Sequence, residues 1–181
     1  MSLSVVYTRA AIGVKAPLIS VEVHLSNGLP GLTLVGLPET TVKEARDRVR
    51  SAIINSGYTF PAKKITINLA PADLPKEGGR YDLPIAIALL AASEQLNTAR
   101  LGSYEFIGEL ALTGALRGVP GAISGALEAI HAGRQIIVAN ENASEVSLIA
   151  EKGCLVAGHL QEVCAHLEGR HTLSEPEETG D

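Results

Sequence analysis

Three consecutive pieces of the chain decide how the fold is read: Lys64-Ile-Thr-Ile-Asn-Leu69, then Ala70-Pro-Ala-Asp-Leu-Pro-Lys-Glu-Gly-Gly-Arg-Tyr-Asp82, then Leu83-Pro-Ile-Ala-Ile-Ala-Leu-Leu-Ala-Ala92. The first alternates apolar and polar residues, as a half-buried strand requires. The third is apolar on every side, which marks a central, buried helix near 83–95, with Pro84 in the first turn where its missing N–H costs nothing. Between them lies a loop rich in Pro and Gly. A strand delivered through such a loop to a buried helix predicts an α/β domain with a sheet and packed helices.

Working back from this stretch, Thr41-Val-Lys-Glu44 has the form of a capping box, and Val42, Ala45, Val49 and Ile53 follow at spacings of three and four. A helix with one apolar stripe is expected there, stopped by Gly57. Further upstream, Ile19-Ser-Val-Glu-Val-His-Leu25 alternates, Asn27-Gly28 is a turn signal, and Gly31-Leu-Thr-Leu-Val-Gly-Leu37 resumes the apolar run. This reads as a hairpin. Downstream of residue 100 the pattern predicts strands at 105–112, 135–139 and 154–157, and helices at 120–132, 142–150 and 159–168. Strand–helix alternation there points to partly parallel pairing, hence a mixed sheet. The end, from about 171 to Asp181, is acidic and reads as a linker or tail to a domain over 1–170.

With 181 residues and 46% hydrophobic content the chain can bury a real core. Aromatics are only 3%, with no Trp, which weighs against a single-strand binder built on aromatic platforms. No signal peptide is indicated, and the longest apolar stretch, Leu83 to Ala92, is half of what a bilayer crossing needs. Two cysteines without CxxC spacing suit a reducing compartment, so a cytoplasmic location is expected. Net charge is −5, yet residues 41–80 are net +4, leaving −9 for the remainder. Arg46, Arg50, Lys63, Lys64, Lys76 and Arg80 in that segment are the candidate contacts to DNA or to an acidic partner.

No motif completes a catalytic site. GxxxxGK[ST] is absent, so the glycine pair Gly78-Gly79 is read as a tight connector rather than a phosphate cradle. His24, His131, His159, His166 and His171 do not form HExxH, and no zinc-spaced ligand set occurs; no metal and no cofactor site is expected. GxSxG is missing, and Cys154 and Cys164 lie in apolar surroundings that mark inert thiols.

Gly28-Leu-Pro-Gly-Leu-Thr-Leu-Val-Gly-Leu-Pro38, Asn68-Leu-Ala-Pro-Ala-Asp-Leu-Pro-Lys-Glu-Gly-Gly-Arg-Tyr-Asp-Leu-Pro84 and Gly108-Glu-Leu-Ala-Leu-Thr-Gly-Ala-Leu-Arg-Gly118 together closely resemble the amino-terminal domain of the magnesium-chelatase-like AAA+ ATPases, the family of the bacterial competence protein ComM. The resemblance covers about residues 1–170. It implies a fold like domain 2 of ribosomal protein S5 and the Lon protease domain, placed ahead of a hexameric AAA+ motor that uses ATP and magnesium and acts as a DNA helicase in branch migration during natural transformation. It implies as partners single-stranded or branched DNA, the protein's own AAA+ domain and further copies of itself, and no membrane. This sequence departs from the whole by containing no Walker motif, so ATP hydrolysis is expected of residues outside it. Aligning helix starts with Lon places Asp82 where the nucleophilic serine would stand and Ile123 where its lysine would stand, so protease chemistry is not expected. The chain alone is therefore expected to be a non-catalytic module. Two other readings remain: a purely structural oligomerisation or interdomain module whose charges form salt bridges, and a small-molecule kinase using the Gly78-Gly79 loop. Chelation of magnesium into a porphyrin is a naming inheritance that nothing in the residues supports.

Overall fold

A computed structural model describes residues 2–74, 76, 78–97, 99–149 and 152–176. The expected mixed α/β architecture is present. A seven-stranded sheet runs β3 (Gly31–Val35), β4 (Lys64–Ala70), β2 (Leu18–Ser26), β1 (Ser2–Arg9), β5 (Tyr104–Phe106), β8 (Gln135–Ala139), β9 (Cys154–Ala157). The β1–β2 and β2–β4 pairs are antiparallel, while β3–β4, β1–β5, β5–β8 and β8–β9 are parallel. Helices α1 (Glu39–Asn55) and α2 (Asp82–Ala92) pack together on one face, with α2 across β1 and β2. On the other half, α3 (Ala122–His131) and α5 (Leu160–Leu167) sandwich β8 and β9, and the short α4 (Ala143–Val146) closes one end.

Every residue of α2 is buried, as its uniform apolarity demands. Ala45, Val49, Ala52 and Ile53 bury the stripe of α1, with Val42 packed at its margin. Gly57 ends α1 at φ +89°: its N–H reaches the Ile54 carbonyl at 3.1 Å while Tyr58 N–H reaches that of Ile53 at 3.1 Å. This is the double bond of a Schellman stop, which needs the left-handed residue glycine supplies.

Four local expectations are corrected. The hairpin across Asn27-Gly28 does not form: β4 lies between β2 and β3, and β3 runs parallel to β4 with α1 as the crossover. The physical reason is burial. β4 has Ile65, Ile67 and Leu69 all buried and is paired on both sides, whereas β3 buries only Leu34 and tolerates the sheet edge. The capping box is not used either. Helix α1 begins earlier, at Glu39 after Pro38, so Thr41 and Glu44 already sit inside the helix, with the Val42 N–H bonded to the Pro38 carbonyl at 3.0 Å. Finally, the strand expected at 105–112 is broken at Gly108, where the chain leaves the sheet to bond to the start of α2: Gly108 N–H to the Arg80 carbonyl and Leu83 N–H to the Gly108 carbonyl. Beyond it β6 (Glu109–Leu110) pairs with β7 (Leu116–Arg117) as a separate ribbon. In place of a helix over 142–150 only Ala143–Val146 is α-helical.

Of the stretch read as a linker, residues 177–181 lie outside those described. His171 to Ser174 rest on the domain: Leu173 is buried, its N–H bonds His166 Nδ1 at 3.0 Å, and Ser174 bridges to Val156. Among the described residues no helix is long and apolar enough to cross a membrane.

Candidate nucleic-acid interface

The six basic candidates divide into two groups that the sequence alone could not separate. Helix α1 carries Arg46 and Arg50 one turn apart, and the extended segment 58–63 runs alongside after the Gly57 stop. Together with the start of β3 they enclose an open groove of about 750 Å³ lined by Arg46, Arg50, Lys63, Tyr58, Phe60 and Leu32, among others. Lys63 Nζ donates to Asn27 Oδ1 at 3.1 Å, and the Arg50 guanidinium carbon lies 5.8 Å from the centre of the Phe60 ring. One carboxylate, Asp47, also lines the groove, 3.8 Å from Arg46 and well exposed. Lys64 is exposed at the adjacent end of β4 but does not line the groove.

Lys76 and Arg80 belong elsewhere, and the expectation that they are surface contacts is overturned. Lys76 is 5% exposed; its Nζ donates to the Pro71 and Leu74 carbonyls, and burial pulls its pKa down. Arg80 is 7% exposed, with Nε donating to the Arg9 carbonyl at 3.1 Å and Nη1 to the Pro120 carbonyl at 3.0 Å; burial lowers its pKa as well. Cations committed to main-chain carbonyls inside a domain are braces. Lys76 closes the loop on itself, and Arg80 ties it to the end of β1 and to the turn before α3.

An open cavity of about 330 Å³ lies beside Gly78, Gly79 and Arg80, but the start of α2 is not built to hold a phosphate. A helix N-terminus attracts anions only through N–H groups left over at its first turn. Here Asp82 N–H is bonded to the Gly79 carbonyl, Leu83 N–H to the Gly108 carbonyl, and Pro84 has none. A carboxylate already occupies the position: Asp82, fully buried, accepts from Arg48 Nε at 2.6 Å, Arg48 Nη2 at 3.2 Å and Leu110 N–H at 3.1 Å. Burial pushes its pKa up to about 6, against the pull of Arg48. A phosphate placed at this helix end would meet spent donors and a buried acid, so the first turn of α2 does not fit one. At the two positions that the sequence alignment set against the Lon dyad, Asp82 is held by a guanidinium, and Ile123 offers only its N–H, bonded to Glu145 at 2.7 Å. Gly79 is tightly packed too, since a Cβ there would stand 2.6 Å from Glu109.

Sequence reasoning missed Tyr58 and Phe60 as groove residues. The available signal was their position, aromatics at 58 and 60 between a helix stop and the Lys63-Lys64 pair. It was hidden by a composition in which aromatics are scarce.

Comparison with known proteins agrees with the three motifs. The family described as subunit ChlI of Mg-chelatase matches residues 21–142. The chain is 78% identical over 176 residues to the uncharacterized protein YifB of Salmonella typhimurium, covering 97% of this chain and 35% of that one. It is 76% identical over 179 residues to YifB of Escherichia coli, covering 99% and 35%. To the competence protein ComM of Haemophilus influenzae it is 58% identical over 173 residues, covering 96% and 34%. The chain thus spans about a third of the length of these relatives. On the family match and these similarities, the chain belongs to the magnesium-chelatase ChlI-like family, alongside YifB and ComM.

Proposed function

We propose that this chain is a non-catalytic module of a longer AAA+ ATPase that handles DNA, and that it contributes a DNA contact through the α1 groove as well as surfaces for ring assembly. ATP and magnesium are then the business of a motor outside these residues, and the hexamer and branch migration belong to the whole protein, in the cytoplasm. The observation that carries the DNA contact is the convergence of Arg46, Arg50 and Lys63 on one concave surface, with Lys64 at its margin, in a chain whose net charge is −5. An acidic protein repels nucleic acid at long range, so a surface that binds it must concentrate cations locally. The competence protein among its relatives lends the reading further support.

Binding of this kind runs on counterion release and weakens steeply with salt. Fluorescence anisotropy of a labelled single-stranded oligonucleotide, titrated with the chain from low to physiological salt, is expected to show affinity falling with a log–log slope of about −2 for three cations. Absence of binding at the lowest salt, or binding indifferent to salt, rejects the contact.

A further inference from the structure

We propose that the groove selects unpaired strands over duplex, with Phe60 as the surface on which a base stacks. This rests on the DNA reading above and narrows it to one class of nucleic acid.

The chain has six aromatic residues. Tyr81, Tyr104 and Phe106 are buried, and Tyr7 lies under the Arg134 guanidinium, 4.1 Å from its ring centre. The remaining two, Tyr58 and Phe60, both line the groove with Arg46, Arg50 and Lys63, and the Tyr58 side chain is tied to Cys164 of α5, which leaves the Phe60 ring. A composition too poor in aromatics for stacking platforms along the whole surface thus sets its one available ring among the cations of the groove.

Phe60 is also held in place. Its neighbour Thr59 is clamped by the Gln95 side chain at both main-chain groups: Thr59 N–H donates to Gln95 Oε1 at 2.8 Å, and Gln95 Nε2 donates to the Thr59 carbonyl at 2.7 Å. Pro61 fixes the backbone on the other side. One flank of the ring packs on the hydrophobic core, and the residue is half-buried. A clamped ring has little freedom to lose on stacking, which is the condition for an effective platform.

Arg50 sits 5.8 Å from the ring centre, at the outer limit of a cation–π contact, so it can turn to a phosphate without giving up much. Arg46 is one turn away along α1, about 6 Å in rise. A flexible single strand can bring its phosphates to these two cations while laying a base on the ring. Duplex keeps its bases stacked inside and can offer the recessed ring nothing but backbone, so it keeps the charge contacts and loses the stacking.

The test compares labelled oligo-dT with a hairpin duplex of the same length at low salt, using the 181-residue chain, Phe60→Leu and Phe60→Trp. Leucine retains the contact with the core and removes the platform. It is expected to weaken oligo-dT on the order of tenfold or more while changing duplex affinity less than about twofold. Tryptophan is expected to bind oligo-dT at least as tightly as Phe60, with its emission quenched by oligo-dT and not by duplex. Equal losses on both probes, or no loss on oligo-dT, overturn the proposal. If Phe60→Leu lacks the cooperative thermal transition, the Phe60→Trp quenching decides alone: quenching by oligo-dT supports stacking, and its absence refutes it. Failure of the unsubstituted chain to bind either probe rejects the DNA reading itself, a result distinct from loss of selectivity.

Discussion

On one side of α1, Arg48 reaches inward to the buried Asp82 and lies 3.9 Å from Glu109; on the other, Arg46 and Arg50 line an open groove. The residues are of one type, two positions apart, and their chemistry differs completely. Two residues turn a helix by more than half a revolution, so neighbouring arginines are sent to opposite environments. The inward one satisfies a carboxylate that could not stay ionised alone, and the outward pair keep their charge available. The same division runs through the molecule: Arg9 and Arg134 are committed to Glu105, Lys76 and Arg80 to main-chain carbonyls, and Lys63 to an exposed asparagine it can leave. Substituting inward charges is therefore expected to change stability, and substituting outward ones to change binding.

The most severe case is Glu105. It is fully buried, takes a two-pronged contact from Arg9 at 2.7 and 2.9 Å, and takes a third from Arg134 at 3.2 Å. It joins β5 to the end of β1 and to the turn between α3 and β8. Glu105→Ala strands the Arg9 guanidinium, itself 7% exposed, in a site without a counter-charge. A loss of about 3–5 kcal/mol is expected, because breaking one partner of a buried pair exposes the full desolvation cost of the other. Denaturant unfolding measures it; a loss below about 1 kcal/mol would mean the site is wetter than the contacts indicate.

Asp82 gives a smaller effect with a pH signature. Burial raises its folded-state pKa to about 6 from the ordinary 3.8. The folded chain therefore holds this proton more tightly than the unfolded one, so the stability it brings is full below about pH 4 and is lost as pH rises through 6. Asp82→Asn keeps an acceptor for Leu110 N–H and cannot titrate. Relative to it, the unsubstituted chain is expected to lose on the order of 2 kcal/mol between pH 4 and 7. Parallel stability curves for the two proteins over that range would show that Arg48, not burial, governs the group.

How much of this could be read in advance depended on what each residue competes with. Helix α2 was legible because ten apolar residues in succession admit one environment, and the Gly57 stop because a left-handed position has few tenants. The β2–β3 hairpin was misread because Asn27-Gly28 states only that the chain turns. Which strand then lies alongside is settled by Ile65, Ile67 and Leu69 some forty residues later, which need neighbours on both sides. Lys76 and Arg80 were misread for a related reason: charge is counted along the chain, whereas exposure is decided across it. Lys76 and Arg80 sit in a loop that looked solvated, and carbonyls of Pro71, Leu74, Arg9 and Pro120 draw them in. Arg46 and Arg50 could be placed correctly, since the apolar stripe of their own helix already said which way they face.

The smallest expected change in stability is the one that separates binding from architecture. Arg46→Glu with Arg50→Glu reverses two exposed charges, one near Asp47 and one loosely over Phe60, and removes no buried contact. Unfolding free energy should move by no more than about 0.5 kcal/mol. Affinity for oligo-dT at low salt should fall by roughly tenfold or more, and the log–log salt slope should shrink by about one to two, because two phosphate contacts are lost and two repulsions gained. The structural alternative makes the opposite demand: in the longer protein the same double reversal would disturb assembly and leave affinity for DNA per ring unchanged. Sedimentation and anisotropy on one preparation distinguish them, because a groove that serves another protein surface must fail in the first measurement, and a groove that serves a nucleic acid must fail in the second.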